Sequence, residues 1–278
     1  MKKGISIWSF GGGTLKENFR LAHEAGFEGV EVALDEEGEL SLTTTEKEAA
    51  AIRAEADRAG VALYSVASGL YWKYSLTSAD PALREKAKEC VRKQLQVAAW
   101  LGCDTVLVLA GAVSVSFAPE LGVTDYAVAY DRALAAMQEL KKDAERYKVH
   151  IGLENVWNNF LLSPLEMRDF IDKAGSDYVG SYFDVGNAVA NGYPEQWIRI
   201  LGKRIKKVHF KDYRRAVGSL DGFVDLLAGD VDWKAVKAAL DEIGYADWVT
   251  GEMIPQYKQY NERLIVNTSN AMNGILGR

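Results

Sequence analysis

Cysteine is nearly absent. Cys90 sits in a helical pattern and Cys103 just before a strand, so the chain has neither a disulfide framework nor a zinc-ribbon spacing, and both residues read as buried small hydrophobes. Basic charge is not in excess either. The formal net charge is −6 and no Lys/Arg block interrupts the chain, which leaves no electrostatic footprint for a phosphate backbone and argues against nucleic acid as a partner. No uninterrupted apolar stretch approaches the about 20 residues needed to cross a bilayer. The N-terminus, Met1-Lys2-Lys3 followed by the alternating Gly4-Ile5-Ser6-Ile7-Trp8, lacks the apolar core and cleavage site of a signal peptide. The expectation is a soluble, cytoplasmic protein with no membrane partner.

What is abundant is apolar residue and regular alternation. With 48% hydrophobic residues in 278, the chain fills one large α/β domain, residues 1–278, better than two small ones. Strand patterns at 4–8, 29–33, 61–66 and 105–109 alternate with helical patterns at 14–25, 45–59, 80–101 and 124–147. The helices carry their own start and stop signals: Asp80-Pro81 and Ser163-Pro164 place a capping residue before a proline at the first helical position, and Gly26, Gly60 and Gly102 follow the last helical residues. The alternation continues through strands ending at Glu154, Asp184, His209 and Glu252, with helical segments near 194–201 and 233–243 and a last one over 257–276. Eight β/α units over a length near the about 250 residues of that fold predict a single (β/α)8 TIM barrel with an additional C-terminal helical segment. A doubly wound sheet is the competing architecture, but Phe10-Gly11-Gly12-Gly13-Thr14 lacks the G-x-G-x-x-G spacing of a dinucleotide cradle and reads as a loop at the barrel mouth.

In such a barrel the carboxyl ends of all strands share one face. Ile151-Gly152-Leu153 leads into Glu154, Tyr182-Phe183 into Asp184, Lys207-Val208 into His209, and Thr250-Gly251 into Glu252. Each has a plain structural reading, and Asp184 ahead of Val185-Gly186-Asn187 has the form of a helix cap. Their joint placement at the ends of strands five to eight points instead to one divalent-metal site. Three oxygen donors and an imidazole suit Mn²⁺, Co²⁺, Mg²⁺ or Zn²⁺, with no soft ligand to select copper. The other histidines, His23 in mid-helix and His150 at the amino end of strand five, read as structural.

The runs Gly152-Leu153-Glu154-Asn155, Phe183-Asp184-Val185-Gly186-Asn187, Val208-His209-Phe210-Lys211-Asp212 and Gly251-Glu252-Met253 resemble those of the sugar phosphate isomerase/epimerase family. These are the xylose-isomerase-like barrels that include the ketose 3-epimerases. Leu76 to Pro81 and Gly229-Asp230-Val231-Asp232-Trp233 extend the likeness over nearly the whole chain. The resemblance implies one divalent metal held by Glu154, Asp184, His209 and Glu252. It also implies proton transfer through a metal-stabilised ene-diolate of a sugar or sugar phosphate, with Glu154 and Glu252 as the acid/base pair.

For the substrate, the resemblance implies contact with Arg215, six residues after His209. Trp8, Trp72 and Trp157 near strand ends are candidates to stack on a sugar, Glu31 at the end of strand two to hydrogen bond a hydroxyl, and Lys211 to pair with a phosphate or a carboxylate. Two positions depart from the ketose 3-epimerases proper. Phe160 stands where a second glutamate follows the strand-five ligand by six residues, and Asn187 where a histidine follows the strand-six aspartate by three. Asn187 still hydrogen bonds a hydroxyl but carries no charge, and the Asp-Val-Gly-Asn form is similar to the sugar-phosphate branch.

Alternatives remain. A metal-dependent inosose-type dehydratase uses the same proton abstraction and expels a hydroxyl. A non-catalytic sugar-binding barrel needs no chemistry. An abasic-site endonuclease requires a histidine-rich multi-metal site, which three histidines and an acidic chain do not supply. The family forms dimers and tetramers, and Tyr257, Tyr260, Leu264 and Ile265 either supply a homo-oligomer interface or close the barrel.

Overall fold

The structure, a computed structural model, describes residues 1–278. Helix starts follow local chemistry. Thr14 with Glu17 and Thr45 with Glu48 form reciprocal capping boxes, and Asp80 and Ser163 cap helices that open with proline. Gly60 and Gly102 end their helices at φ +80° and +78°, a left-handed conformation that costs glycine little.

Seven strands come first: β1 (Lys2–Ser6), β2 (Gly29–Ala33), β3 (Ala62–Ala67), β4 (Thr105–Val108), β5 (His150–Glu154), β6 (Val179–Asp184) and β7 (Ile205–Phe210). A two-stranded antiparallel ribbon, β8 (Asp212–Tyr213) and β9 (Phe223–Val224), follows before β10 (Trp248–Gly251). Strands β1 to β7 and β10 pair in parallel in chain order, and β10 closes on β1 through Lys2 opposite Trp248 and Gly4 opposite Thr250. The helices α1 (Leu15–Glu24), α2 (Glu46–Ala59), α3 (Pro81–Leu101), α4 (Tyr126–Tyr147), α5 (Pro164–Ala174), α6 (Val185–Val189), α7 (Pro194–Leu201), α8 (Trp233–Glu242) and α9 (Asn261–Leu276) connect and follow them. This is the (β/α)8 barrel expected from the alternation. None of its helices is long and apolar enough to cross a membrane.

One segment differs from the sequence reading. The last helix begins at Asn261 and not at Tyr257, because Tyr260 takes φ +54° and breaks helical geometry. Leu264 and Ile265 are buried in the chain's own core while Tyr260 is exposed, so α9 closes the barrel with the first two. Lys3 Nζ fastens it, donating to Ser269 Oγ at 2.9 Å and Asn273 Oδ1 at 2.7 Å.

Side chains plug the amino-terminal half of the barrel. Tyr64 is buried, stacks on Trp248 with ring centroids 4.2 Å apart, and its hydroxyl lies 2.8 Å from Thr250 Oγ1. Gly4 makes the room, since a Cβ there would fall 2.1 Å from the Tyr64 hydroxyl. Lys207, also buried, ends between Asp104 and Asp247 at 2.7 and 2.6 Å. The packed lower half leaves the carboxyl ends of the strands as the open face.

Candidate metal centre and cavity

Glu154 and Asp184 are the last residues of β5 and β6, His209 is the penultimate residue of β7, and Glu252 follows β10 directly. Parallel register sets Asp184 level with His209. Glu252 is held in place by its own N–H, which donates to Phe210 O at 3.1 Å, and by the next one, Met253 N–H, which donates to Ser9 Oγ at 3.0 Å. All four side chains are buried, and one donor atom from each lies within 4.8 Å of the others. The residues that the sequence placed at strand ends therefore do converge.

His209 Nδ1 faces Glu252 Oε2 at 3.5 Å, Glu154 Oε1 at 3.6 Å and Asp184 Oδ2 at 3.8 Å. Donors about 2.1 Å from a shared ion lie about 3 to 4.2 Å from one another, so these separations suit a divalent metal. His209 Nδ1, Asp184 Oδ2 and Glu252 Oε2 are buried without a well-formed hydrogen bond, although Lys211 Nζ forms ion pairs with the last two, at 3.5 Å to Asp184 and closer to Glu252. Buried polar atoms left in that state mark a place built for another ligand. The donor set fits the metal that the sequence implied.

Asp184 serves both its readings at once. Its Oδ1 caps α6 by accepting from Asn187 N at 2.6 Å, while Oδ2 turns to the centre. Asn155, the residue after β5, clamps it, with Nδ2 donating to Asp184 O and Oδ1 accepting from Asp184 N, each at 2.8 Å. Gly186 lets α6 approach the end of β7, because a Cβ there would meet the Lys211 backbone at 2.8 Å.

Electrostatics separates the two glutamates. Burial and the neighbouring charge of Glu252 push the Glu154 carboxyl up to about 7, against the pull of His209. Burial also acts on Glu252, but the ammonium of Lys211 and the His209 ring outweigh it and hold that carboxyl well below the usual range. Burial raises Asp184 despite Lys211. For His209, burial opposes the charged ring, yet Glu31 and Glu252 outweigh it and raise the imidazole far above its ordinary value. Lys211 is raised in the same way, Glu252 and Asp184 overcoming its desolvation.

Above the centre opens a cavity of about 620 Å³, lined by Glu154, Glu252, Asn187 and Lys211 and by Trp8, Trp72 and Trp157 among others. The expected substrate-facing residues Trp8, Trp157 and Asn187 thus share one space with the carboxylates. Glu31 does not. It is fully buried, with Oε1 3.0 Å from His209 Nε2 and Oε2 accepting from Ser65 Oγ at 3.0 Å and from the Tyr182 hydroxyl. Both its oxygens are engaged inside the barrel, so it braces the histidine and does not meet a sugar hydroxyl.

Arg215 departs from expectation too. Its guanidinium stacks over Tyr193 at 4.9 Å, donates to Gly192 O at 2.7 Å and lines an adjoining recess. Neighbouring Arg214 donates to Ala228 O. Asp212 is tied off structurally, its carboxylate accepting from Leu227 N and Trp233 Nε1 at 2.9 and 3.0 Å. Phe160 is core, edge-on to Tyr126 and Phe170. His23 and His150 lie away from the site, with ring nitrogens near Gly60 O and Asp104 O, and Cys90 and Cys103 are free and buried. The residues that sequence reading passed over are Tyr182, Ser65 and Asn155. Tyr182 had a signal, lying two residues before Asp184 and so on the same strand face.

A family model described as xylose isomerase-like TIM barrel matches residues 19–266. An uncharacterized protein of Methanocaldococcus jannaschii is 28% identical over 175 residues, 60% of this chain. That match spans 57% of the relative's length. The putative L-ribulose-5-phosphate 3-epimerase SgbU of Escherichia coli is 28% identical over 236 residues, 82% of this chain and 80% of that protein. Among solved structures, D-psicose 3-epimerase in the presence of D-fructose has a TM-score of 0.82 at 19% identity, covering 100% of both chains. The IOLI protein with a binding zinc atom has a TM-score of 0.81 at 18% identity, covering 100% of this chain and 98% of its own. At these identities the structural likeness is one of fold.

Proposed function

Because this chain belongs to the xylose isomerase-like TIM-barrel family, we propose that it is a divalent-metal-dependent isomerase or epimerase whose substrate is a ketose. The observation that carries this reading is the convergence of Glu154 and Glu252 with Asp184 and His209 at the floor of a cavity open to small molecules. The names of the E. coli relative and of the psicose epimerase neighbour agree with it.

Glu154, Asp184, His209 and Glu252 would hold the ion, and three oxygens with one nitrogen suit Mn²⁺, Co²⁺, Mg²⁺ or Zn²⁺. A divalent ion supplies Lewis-acid polarisation of the sugar carbonyl and its neighbouring hydroxyl. The rest is done by side chains. Glu252, kept ionised by Lys211 and His209, takes the proton from the carbon next to the carbonyl. Glu154, whose carboxyl holds a proton more readily than that of Glu252, returns one from the opposite side, and two carboxyls of separated acidity are the arrangement that lets one act as base and the other as acid. Asn187 and Trp157 orient hydroxyls, and Trp8 excludes water from the reacting face.

The test has two parts. Metal content is measured on freshly purified wild-type and His209→Ala protein, with about one ion per chain expected in the first and little in the second. Ketoses are then incubated with the enzyme in D₂O, and products are analysed by mass spectrometry and NMR. Deuterium at the carbon beside the carbonyl, lost in Glu154→Gln and Glu252→Gln, supports the proposal. A product lighter by one water would replace it with a dehydratase. No exchange and no metal uptake would leave a non-catalytic sugar-binding barrel.

A further inference from the structure

The cavity has two unlike kinds of lining. At its floor, polar groups wait for hydroxyls: Glu154, Glu252 and Asn187 line it, and Asn187 Nδ2 and Trp157 Nε1 are buried donors without an acceptor. The rest of its wall is largely apolar. Trp72 packs edge-on against Phe117 with ring centroids 4.9 Å apart, and Trp157 tilts against Phe223 at 5.5 Å, so two aromatic pairs line the cavity. Phe117 is 48% exposed and Ile254 41% exposed, although both line the cavity. Apolar side chains left open around a polar floor mark a surface that a ligand covers.

Charge points the same way. Of the charged residues lining the cavity, Glu154, Glu252 and Asp221 are acidic and Lys211 alone is basic. Its ammonium is committed to Glu252 and Asp184. Apart from the carboxylates that would hold the ion, the acidic residue lining the cavity is Asp221, so a phosphate dianion on the walls would meet a carboxylate and no free cation, whereas phosphate sites present arginine, lysine or a helix N-terminus. Arg215, the residue expected to answer it, is turned onto Tyr193 in the adjoining recess. Size agrees as well, since about 620 Å³ sits mid-range among pockets of about 300–1,000 Å³ that enclose drug-sized ligands, and one sugar ring does not fill it.

We propose that the substrate is a ketose bearing an uncharged, ring-sized apolar substituent, seated between Trp72–Phe117 and Trp157–Phe223, and not a sugar phosphate. This rests on the epimerase/isomerase reading for the chemistry at the floor, but the aromatic lining selects the substituent whatever that chemistry is.

The experiment compares three compounds that differ only at carbon 6, namely D-fructose, its 6-phosphate and its 6-O-benzyl ether, and repeats the set with D-psicose. Affinity for the Mn²⁺-loaded protein is measured by calorimetry, and deuterium exchange is followed in parallel. The benzyl ether is expected to bind at least about tenfold more tightly than the parent ketose, as burial of one aromatic ring predicts, and the phosphate more weakly than the parent. Phe117→Ser, at a half-exposed position, is expected to reduce the benzyl preference, with circular dichroism verifying the fold. A phosphate that binds as well as the benzyl ether, a benzyl ether no better than its parent, or no binding by any of the three overturns the proposal. Binding with the expected order but no exchange refutes the isomerase reading alone.

Discussion

His209 Nε2 lies 3.0 Å from Glu31 Oε1, and the other ring nitrogen faces three carboxylates. A histidine whose Nε2–H is taken by a carboxylate presents the lone pair of Nδ1 to a metal, with ring orientation and tautomer both set from behind. Ser65 and Tyr182 hold the remaining oxygen of Glu31, so the brace is itself braced. Glu31→Leu is expected to weaken metal affinity about 10- to 100-fold, measured by competition with a chromophoric chelator. Glu31→Gln keeps an acceptor and should lose less. Unchanged affinity in the leucine variant would reduce Glu31 to a space filler.

Metal binding should release protons. Glu31 and Glu252 raise His209 against the effect of burial, and Glu154 is held up to about 7 by burial and by Glu252. A bound ion requires Nδ1 and the carboxylates unprotonated, so protons compete with it. The sign follows: affinity falls as pH drops through 7, when Glu154 takes up its proton, and rises above it. Calorimetry in buffers of different ionisation enthalpy should show protons released on binding, more per ion at pH 6 than at pH 8. A pH-independent affinity would contradict these assignments.

The barrel's lower half predicts a purely structural effect. At Gly4 an added methyl meets the Tyr64 hydroxyl at 2.1 Å, and Tyr64 is pinned by Trp248 and Thr250. Gly4→Ala is expected to destabilise the fold by about 1–3 kcal/mol through overpacking, read as a lower midpoint in urea. Metal stoichiometry should be unchanged, since the added methyl meets Tyr64 and none of the four donors. An unaltered midpoint would mean that the stack yields without cost.

Much of this molecule was legible because its information is local. Caps, proline at first helical positions and glycine stops mark the helices, and the four strand-end donors follow from the rule that parallel strands present one face. What escaped depends on contacts across the barrel. Glu31 looks like any strand-end carboxylate until β2 and β7 are closed into a ring, where it turns inward to His209. Arg215 sits on a long connection after β7 whose path is set by Asp212 and its backbone donors. Spacing from His209 therefore did not fix where the guanidinium goes. Lys211 was visible two residues after His209, on the same strand face, but its choice of carboxylate over phosphate required the positions of Glu252 and Asp184.

That choice sets up the prediction that separates binding from chemistry. The Lys211 ammonium sits against Glu252 and Asp184 with Phe223 5.0 Å away, a positive charge beside the place where a divalent ion would be held. Lys211→Met keeps an unbranched stem of similar length and removes only the charge. Repulsion between like charges at a buried site is worth several kcal/mol in principle and less after relaxation, so metal affinity should rise, by about tenfold or more. Glu252 simultaneously loses the partner that most keeps it ionised, and its carboxyl moves up, which weakens it as the resting base at neutral pH. Exchange of the substrate proton should fall by about 10² while metal is bound more tightly. Chelator competition and deuterium incorporation on the same preparation read the two effects separately. Loss of both would show that Lys211 positions the ligands, whereas tighter metal with unimpaired exchange would show that Glu252 does not depend on it.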